Sequence, residues 1–315
     1  MPESFSVERA SSCPRMAQRV EARMVKQSLF ALLWFTRVIH LVSYLNRRNI
    51  PIVCYHSVTE IDCDDDLHKL HLPRSLFVEH LDHLKKNYRV ISLSEFLSAR
   101  REGRRLPNYS LVLMFDDGFE DFFTVAADEL ARRNLPATVF IITDRADGHF
   151  AAKDAPPLSW KQVQELAARG FQVGSHTQSH PYLLQLSEIA VQSELEKSRA
   201  SLLKHLGQYE VPLSYPYGQT SPAIARTAET VGYSCGITGR LGLNNRITDA
   251  FELNRTTIAS DDDLFTFAAR VAGLTWWASL VRQFFSGRSE PLLHPQATIE
   301  IDLISSQSNA EEYSN

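Results

Sequence analysis

From about residue 50 to residue 238, short apolar runs alternate with longer segments that carry apolar residues at helical spacing. The apolar runs predict buried strands, and the longer segments predict helices. The predicted strands are 50–58, 88–93, 111–115, 137–142, 171–175, 211–218 and 233–238. The predicted helices are 75–87, 92–103, 121–134, 159–170, 187–206 and 222–231. This alternation indicates parallel strands joined by crossover helices, in either an open doubly wound sheet or a β/α barrel.

Two apolar stretches with basic residues lie outside this region. Residues 28–45 are interrupted by Arg37 and His40, which disfavours both a secretory signal and a spanning helix. We predict an amphipathic helix there that either lies on a membrane surface or packs on the domain itself. Residues 273–288 repeat the pattern. The two stretches suggest peripheral membrane contact, and the lack of a clear cleavable signal favours a cytoplasmic or membrane-surface location.

Composition, net charge and the absence of certain motifs exclude several classes of function. The chain has 315 residues, of which 44% are hydrophobic, so it can bury a sizeable core. With a net charge of −4, no nucleic-acid partner is expected. The four cysteines form no C-x-x-C pair, and no glycine-rich dinucleotide fingerprint follows an early strand. We expect an N-terminal amphipathic helical segment at 1–48, a catalytic domain at 49–290 and a polar tail at 291–315.

Polar side chains follow the ends of several predicted strands. They are His56, Asp116, Asp117, His176, His180 and Tyr217. In parallel α/β folds, ligands bind at the carboxyl ends of the strands. Two histidines four residues apart, together with one aspartate from another strand, can hold a metal and leave one coordination position open. We therefore favour a metal site with a second aspartate as base, over the alternative that both aspartates cap the following helix.

Three segments in this order resemble the polysaccharide deacetylase family, carbohydrate esterase family 4: MFDDGFED, GSHTQSHPYLLQLS and SYPYG. With IPIVCYHSV and FELNRTTI, the similarity covers about residues 50–258 and includes the leading Tyr-His strand of exopolysaccharide N-deacetylases. The resemblance implies an α/β fold, a distorted (β/α)7-type barrel, here with amphipathic helices at both ends. It also implies metal-dependent hydrolysis of N-acetyl groups on amino sugars of a polysaccharide or glycan, with zinc as the expected metal.

The resemblance assigns roles to individual residues. The implied metal ligands are Asp117, His176 and His180. Asp116 would be the general base and His56 the general acid, because amide hydrolysis must activate water and protonate the leaving amine. The backbone N–H of Tyr217 would help to bind the oxyanion.

One position departs from the family pattern. Many members carry an arginine where this chain has Ser214, and that arginine orients the base. Asp116 therefore needs another cation, for which Arg255 is the candidate unless it is a surface residue. Two other functions stay open. The amphipathic ends suggest a deacetylase or deformylase of a lipid-linked sugar, and the missing arginine suggests a catalytically inactive carbohydrate-binding relative.

Overall fold

Parallel strands surrounded by helices form the part of the chain that the computed structural model describes, residues 14–60, 70–150, 155–207 and 210–286. The strands are β1 Ile52–Tyr55, β2 Ser57–Thr59, β3 His71–Pro73, β4 Arg89–Ile91, β5 Ser110–Phe115, β6 Thr138–Ile141, β7 Gln172–Ser175, β8 Leu213–Ser214, β9 Gly236–Ile237 and β10 Thr256–Thr257. The helices are α1 Pro14–Phe35, α2 Val38–Leu45, α3 Arg74–Asn87, α4 Leu93–Arg101, α5 Ala127–Arg133, α6 Thr143–Ala146, α7 Trp160–Ala168, α8 Glu188–Leu206, α9 Pro222–Val231, α10 Leu264–Val271 and α11 Leu274–Ser286. The predicted tail at 291–315 lies outside the described residues.

Seven strands form a ring. Their order is β10-β1-β5-β6-β7-β8-β9, all parallel, and β4 pairs with the first half of β5. The ring closes because Ile237 in β9 forms a parallel bridge with Leu253, shortly before β10. Backbone hydrogen bonds from Leu253 N to Gly236 O (3.0 Å) and from Thr238 N to Leu253 O (2.8 Å) hold this junction. The predicted distorted (β/α)7-type barrel is confirmed.

The barrel strands are buried on both faces, which explains their continuous apolar sequences. The interior cluster contains Ile52, Cys54, Val112, Met114, Phe140, Cys235, Ile237 and Leu253. The cluster beneath the outer helices contains Val53, Tyr55, Leu111, Leu113 and Phe115. Successive side chains of a strand point to opposite faces. In β1 and β5 the even-numbered residues therefore face the interior, and positions 56 and 116 continue that face.

The predicted single helix at 28–45 is wrong, because the chain bends by 74° between α1 and α2. Arg37, at the bend, has a left-handed backbone with φ 64°. The Thr36 hydroxyl donates to the Leu32 carbonyl at 2.8 Å, beside the backbone N–H of Thr36, which donates to the same carbonyl at 2.9 Å. The inner sides of both helices pack on α10, where Ile39 and Val42 lie against its alanines.

The outward sides of α1 and α2 are apolar and exposed. Their large side chains, each between 51% and 73% exposed, are Met24, Val25, Leu29, Leu32, Phe35, Leu41, Tyr44 and Leu45. Leu280 and Val281 of α11 are also exposed, and we call these ten residues the outer apolar face. Within the described ranges, no helix taken singly meets the length and hydropathy needed to cross a membrane, whereas the bent pairs α1–α2 and α10–α11 meet it when combined.

Three predicted elements are interrupted near the carboxyl ends of the strands. The strand predicted at 50–58 breaks at His56, between β1 and β2. The helix predicted at 121–134 starts with a π-helical turn, Phe122–Ala126, before α5. The strand predicted at 211–218 is regular only in β8 and continues into the tight turn Pro216–Gly218. These interruptions place irregular backbone at the edge of the barrel where the polar residues gather.

Candidate metal centre and active site

Four barrel strands present a polar side chain at their carboxyl ends. His56 follows β1, Asp116 follows β5, His176 follows β7, and Ser214 is the last residue of β8. Each continues the even-numbered face of its strand, which in β1 and β5 is the interior face. Strand pairing of β1 with β5, and of β7 with β8, brings these ends to the same edge. A polar site therefore closes one end of an otherwise apolar barrel.

The three predicted metal ligands meet at this end. Asp117 Oδ1 lies 3.4 Å from His176 Nε2 and 3.6 Å from His180 Nε2, and the two Nε2 atoms are 3.2 Å apart. One ligand atom from each residue lies within 4.8 Å of the others. Two imidazole nitrogens and one carboxylate oxygen form a donor set that fits a divalent metal and leaves a position open.

Unusual backbone geometry separates the two adjacent aspartates. Asp117 and His180 both have left-handed backbones, with φ of 67° and 62°. Such conformations are uncommon for residues with a side chain and cluster at functional sites. Asp117 therefore leaves the alternation of β5 and turns toward the histidines, while Asp116 stays on the interior face. Gly118 also has a positive φ of 63°, and a Cβ there would lie 2.9 Å from Ile141 Cγ2.

Hydrogen bonding fixes the ring orientation of His176. Its Nδ1–H donates to the Ser214 carbonyl at 2.8 Å, so Nε2 is the atom that points toward Asp117 with a lone pair. Burial acts to lower the pKa of His176, but the Asp116 and Asp117 carboxylates outweigh burial and raise it. Burial and the neighbouring His176 lower the pKa of His180 to about 3. His180 is therefore neutral and able to act as a ligand at ordinary pH.

The surroundings of Asp116 suit a general base. It is fully buried, and its Oδ2 accepts hydrogen bonds from Ser214 Oγ (3.1 Å) and from Arg255 Nη1. Its Oδ1 is buried and has no hydrogen-bond partner within the described ranges. Burial acts to raise the pKa of Asp116, but Arg255, His176 and His56 outweigh burial and hold it below its ordinary value. One oxygen is thus held in place while the other is available to take a proton.

Arg255 supplies the charge beside Asp116, and it is not a surface residue, because it is only 6% exposed. Its Nη1 also donates to Ser214 Oγ at 3.0 Å, so the serine bridges the arginine and the aspartate. The backbone N–H of Arg255 donates to the Arg240 carbonyl at 3.0 Å in the segment that closes the barrel. The cation that the family pattern would place at position 214 is here supplied from the segment before β10.

His56 also lies close to Asp116. Single ligand atoms of Cys54, His56 and Asp116 lie within 4.8 Å of one another. Burial lowers the pKa of His56 despite the two nearby aspartates, and its Nδ1 is buried without a partner in the described part of the chain. Our reading of the sequence missed Cys54 at this site. Its position gave a usable signal, because Cys54 lies two residues before His56 and residues two apart on a strand share a face.

Two tyrosines form a wall beside the histidines. Tyr217 has a left-handed backbone with φ 56°, and its ring lies 4.6 Å from that of His180. The ring of Tyr182 stacks on Tyr217 at 3.8 Å with nearly parallel planes. Flat aromatic faces of this kind provide apolar surface beside a polar site. Tyr217 was predicted to lie at the site, whereas Tyr182, which lies in the GSHTQSHPYLLQLS segment two residues after His180, was not singled out.

Comparison with known proteins agrees with this geometry. Residues 103–236 match the family model for polysaccharide deacetylase. YxkH of Bacillus subtilis (strain 168) is 26% identical over 226 residues, which cover 71% of this chain and 77% of YxkH. The poly-beta-1,6-N-acetyl-D-glucosamine N-deacetylase of Staphylococcus aureus (strain MSSA476) is 27% identical over 175 residues, which cover 51% of this chain and 60% of that enzyme.

A solved structure agrees as well. The Streptococcus pyogenes deacetylase PplD, in complex with acetate, superposes with a TM-score of 0.64 at 26% identity and covers 71% of this chain and 98% of PplD. The matched region contains the aspartates of β5 and the histidines after β7. Residues 103–236, which form this part of the barrel and its polar end, therefore match the polysaccharide deacetylase family.

Proposed function

We propose that the chain is a zinc-dependent hydrolase that removes N-acetyl groups from amino sugars of a polysaccharide or glycan. The observation that carries this proposal is the buried Oδ1 of Asp116, which has no partner among the described residues and lies beside the Asp117–His176–His180 cluster. Relatives with this domain include an enzyme named for N-deacetylation of poly-N-acetylglucosamine.

In the proposed reaction each residue of the site has a separate role. A metal held by Asp117, His176 and His180 would supply a Lewis acid for the acetyl carbonyl and a lowered pKa for water. Asp116 Oδ1 accepts the proton of the attacking water, while Arg255 and Ser214 hold the other carboxylate oxygen. His56 would gain a proton during the reaction and deliver it to the departing amine nitrogen, since burial favours the neutral imidazole beforehand. The backbone N–H of Tyr217 donates to the developing oxyanion.

The same geometry argues against an inactive carbohydrate-binding relative. Loss of the family arginine at Ser214 would leave the base without a cation if nothing replaced it. Arg255 contacts the same carboxylate from the segment before β10, and Ser214 itself donates to that carboxylate. The chain thus retains an ionised base, a metal-ligand set and a candidate acid.

The test is acetate release from N-acetylglucosamine oligomers and polymer, with added zinc and with chelator. We expect zinc-dependent release that Asp116→Asn abolishes while the zinc content of the protein stays unchanged. Asp82→Asn, at an exposed aspartate of α3, is the matched control and should behave as the unmodified chain. Near-normal turnover by Asp116→Asn would refute the base assignment. Absence of release from every N-acetylated glycan would favour the inactive relative.

We further propose that the outer apolar face contacts an anionic lipid surface, which keeps a lipid-linked amino sugar as a second candidate substrate. Contiguous exposed apolar surface is uncommon on proteins that act free in water. Residues 22–59 and 264–289 contain only basic charges, with no aspartate or glutamate. Apolar side chains flanked by basic residues are the pattern of helices that lie in a membrane interface.

This contact is testable by co-sedimentation with vesicles of phosphatidylcholine containing phosphatidylglycerol. Phe35→Gln, which removes the most exposed aromatic of the face, should weaken binding about tenfold. Ile189→Gln, at an equally exposed apolar residue of α8, should leave binding unchanged. Equal loss in both variants, or no sedimentation with the vesicles, would contradict the proposed contact. Deacetylation of a lipid-linked amino sugar and of a soluble oligomer would then be compared directly.

A further inference from the structure

A cavity with a volume of about 540 Å³, away from the active site, is lined by five arginines. They are Arg48, Arg100, Arg104, Arg105 and Arg246. These residues come from three distant parts of the sequence: the segment after α2, the end of α4 with the loop that follows, and the loop between β9 and β10. We call this site the arginine cavity.

The arginine cavity lies at the opposite end of the barrel from the active site. Ile50 and Asn108, which line it, precede β1 and β5, whereas His56 and Asp116 follow the same two strands. A strand rises about 3.3 Å per residue, so the two sites are roughly 20 Å apart along β1. A group bound in the cavity therefore does not touch the reacting atoms, and the cavity is not a part of the catalytic site.

The charges in the cavity are not balanced by its own lining. No aspartate or glutamate is among its lining residues in the described part of the chain. Arg104 pairs with Glu102 at 3.2 Å, and Arg100 donates to the backbone carbonyls of Asn245 (2.7 Å) and Thr248. The carbonyls hold the Arg100 guanidinium in place without neutralising it. Gathering like charges is unfavourable, and a bound anion relieves that repulsion.

The remaining lining determines what kind of anion fits. Arg48, Arg105 and Arg246 are exposed and can reach a ligand. Beneath them, apolar side chains of Ile50 and Phe96 form part of the wall. A planar guanidinium binds phosphate through two parallel hydrogen bonds, and several of them favour a multiply charged group. We propose that the arginine cavity binds a ligand that carries a phosphate or pyrophosphate group next to an apolar part.

Two sources of such a group are possible, a soluble phosphorylated compound and a phospholipid headgroup, since Arg48 lies three residues after α2. The experiment measures binding of inorganic pyrophosphate to the full chain by calorimetry. In parallel, it measures binding to phosphatidylcholine vesicles with and without phosphatidylinositol phosphate. The test variant is Arg48→Gln/Arg246→Gln. The matched control, Lys197→Gln/Arg226→Gln, removes two exposed charges from α8 and α9.

The test variant should lose about tenfold in affinity for each arginine, or about 100-fold in total, while the control keeps its affinity and both keep deacetylase turnover. Pyrophosphate binding that vesicles do not improve supports a soluble ligand. Binding confined to phosphoinositide vesicles and lost in the test variant supports a headgroup. Binding of neither probe overturns the proposal, and so does an equal loss of affinity in test and control variants. Because turnover is a separate readout, failure here is distinct from failure of the deacetylase assignment.

Discussion

The ion pair between Arg255 and Asp116 gives the sharpest prediction. Arg255→Gln removes the guanidinium and leaves the Asp116 carboxylate buried with only Ser214 donating to it. The two side chains are 7% and 0% exposed, so solvent does not screen the loss. Removing one partner of such a buried pair costs about 3–5 kcal/mol of folding free energy, because the other charge stays desolvated. We expect that loss, together with strongly reduced turnover.

Urea unfolding of metal-free protein at neutral pH measures this cost without a contribution from bound metal. Arg240→Gln is the control, since Arg240 makes a partly exposed ion pair with Glu252 on a neighbouring segment. It should cost less than about 1 kcal/mol. The double variant Arg255→Gln/Asp116→Asn leaves no unpaired charge and should be more stable than the sum of the two single changes by about 2–3 kcal/mol. The reasoning fails if Arg255→Gln is as mild as the control, or if the two changes simply add.

Three further outcomes are expected. Burial lowers the pKa of His80 from 6.5 to about 3. Between these two pH values the unfolded chain binds a proton at His80 that the native chain does not bind. The free energy of unfolding should therefore fall by about 1.4 kcal/mol per pH unit as the pH decreases across this range. His80→Gln should remove this part of the slope in urea titrations at several pH values. Gly174→Ala should cost about 1–3 kcal/mol, since its Cβ would lie 2.5 Å from the Phe140 ring, and adding Phe140→Leu should recover part of that loss. His176→Ala should lower zinc affinity by more than about 100-fold in equilibrium dialysis, and retention of zinc would rule out the proposed ligand set.

Much of the barrel could be predicted because its strands obey a simple rule. Continuous apolar runs show strands buried on both faces, and strict alternation then fixes which residue at a strand end faces inward. His56, Asp116 and His176 follow from that rule alone once the strands are located. The division between Asp116 and Asp117 also agrees with it, since the left-handed backbone at Asp117 ends the alternation.

What could not be predicted depends on contacts between distant segments. The bend occurs at the left-handed backbone of a single residue, Arg37, which hydrophobic periodicity does not register. Tyr182 stacks on Tyr217 across two loops, and no spacing relates them. The arginine cavity combines residues almost two hundred positions apart, such as Arg48 and Arg246, so it leaves no motif in the sequence. Such sites become visible only when the ring of strands is closed.

The closing of the ring has a consequence for the order in which the enzyme matures. The metal ligands come from the ends of β5 and β7, and the carbonyl that orients His176 belongs to Ser214 of β8, so every group of this cluster is present once residue 214 has been synthesised. Arg255, which holds the base Asp116, lies 139 residues after Asp116 in the sequence and is synthesised just before β10, the last strand of the barrel. A nascent or truncated chain that ends before Arg255 therefore carries every proposed metal ligand but lacks the cation that orients the base. The ligands of the proposed metal and the cation of the base thus become available at different stages of synthesis.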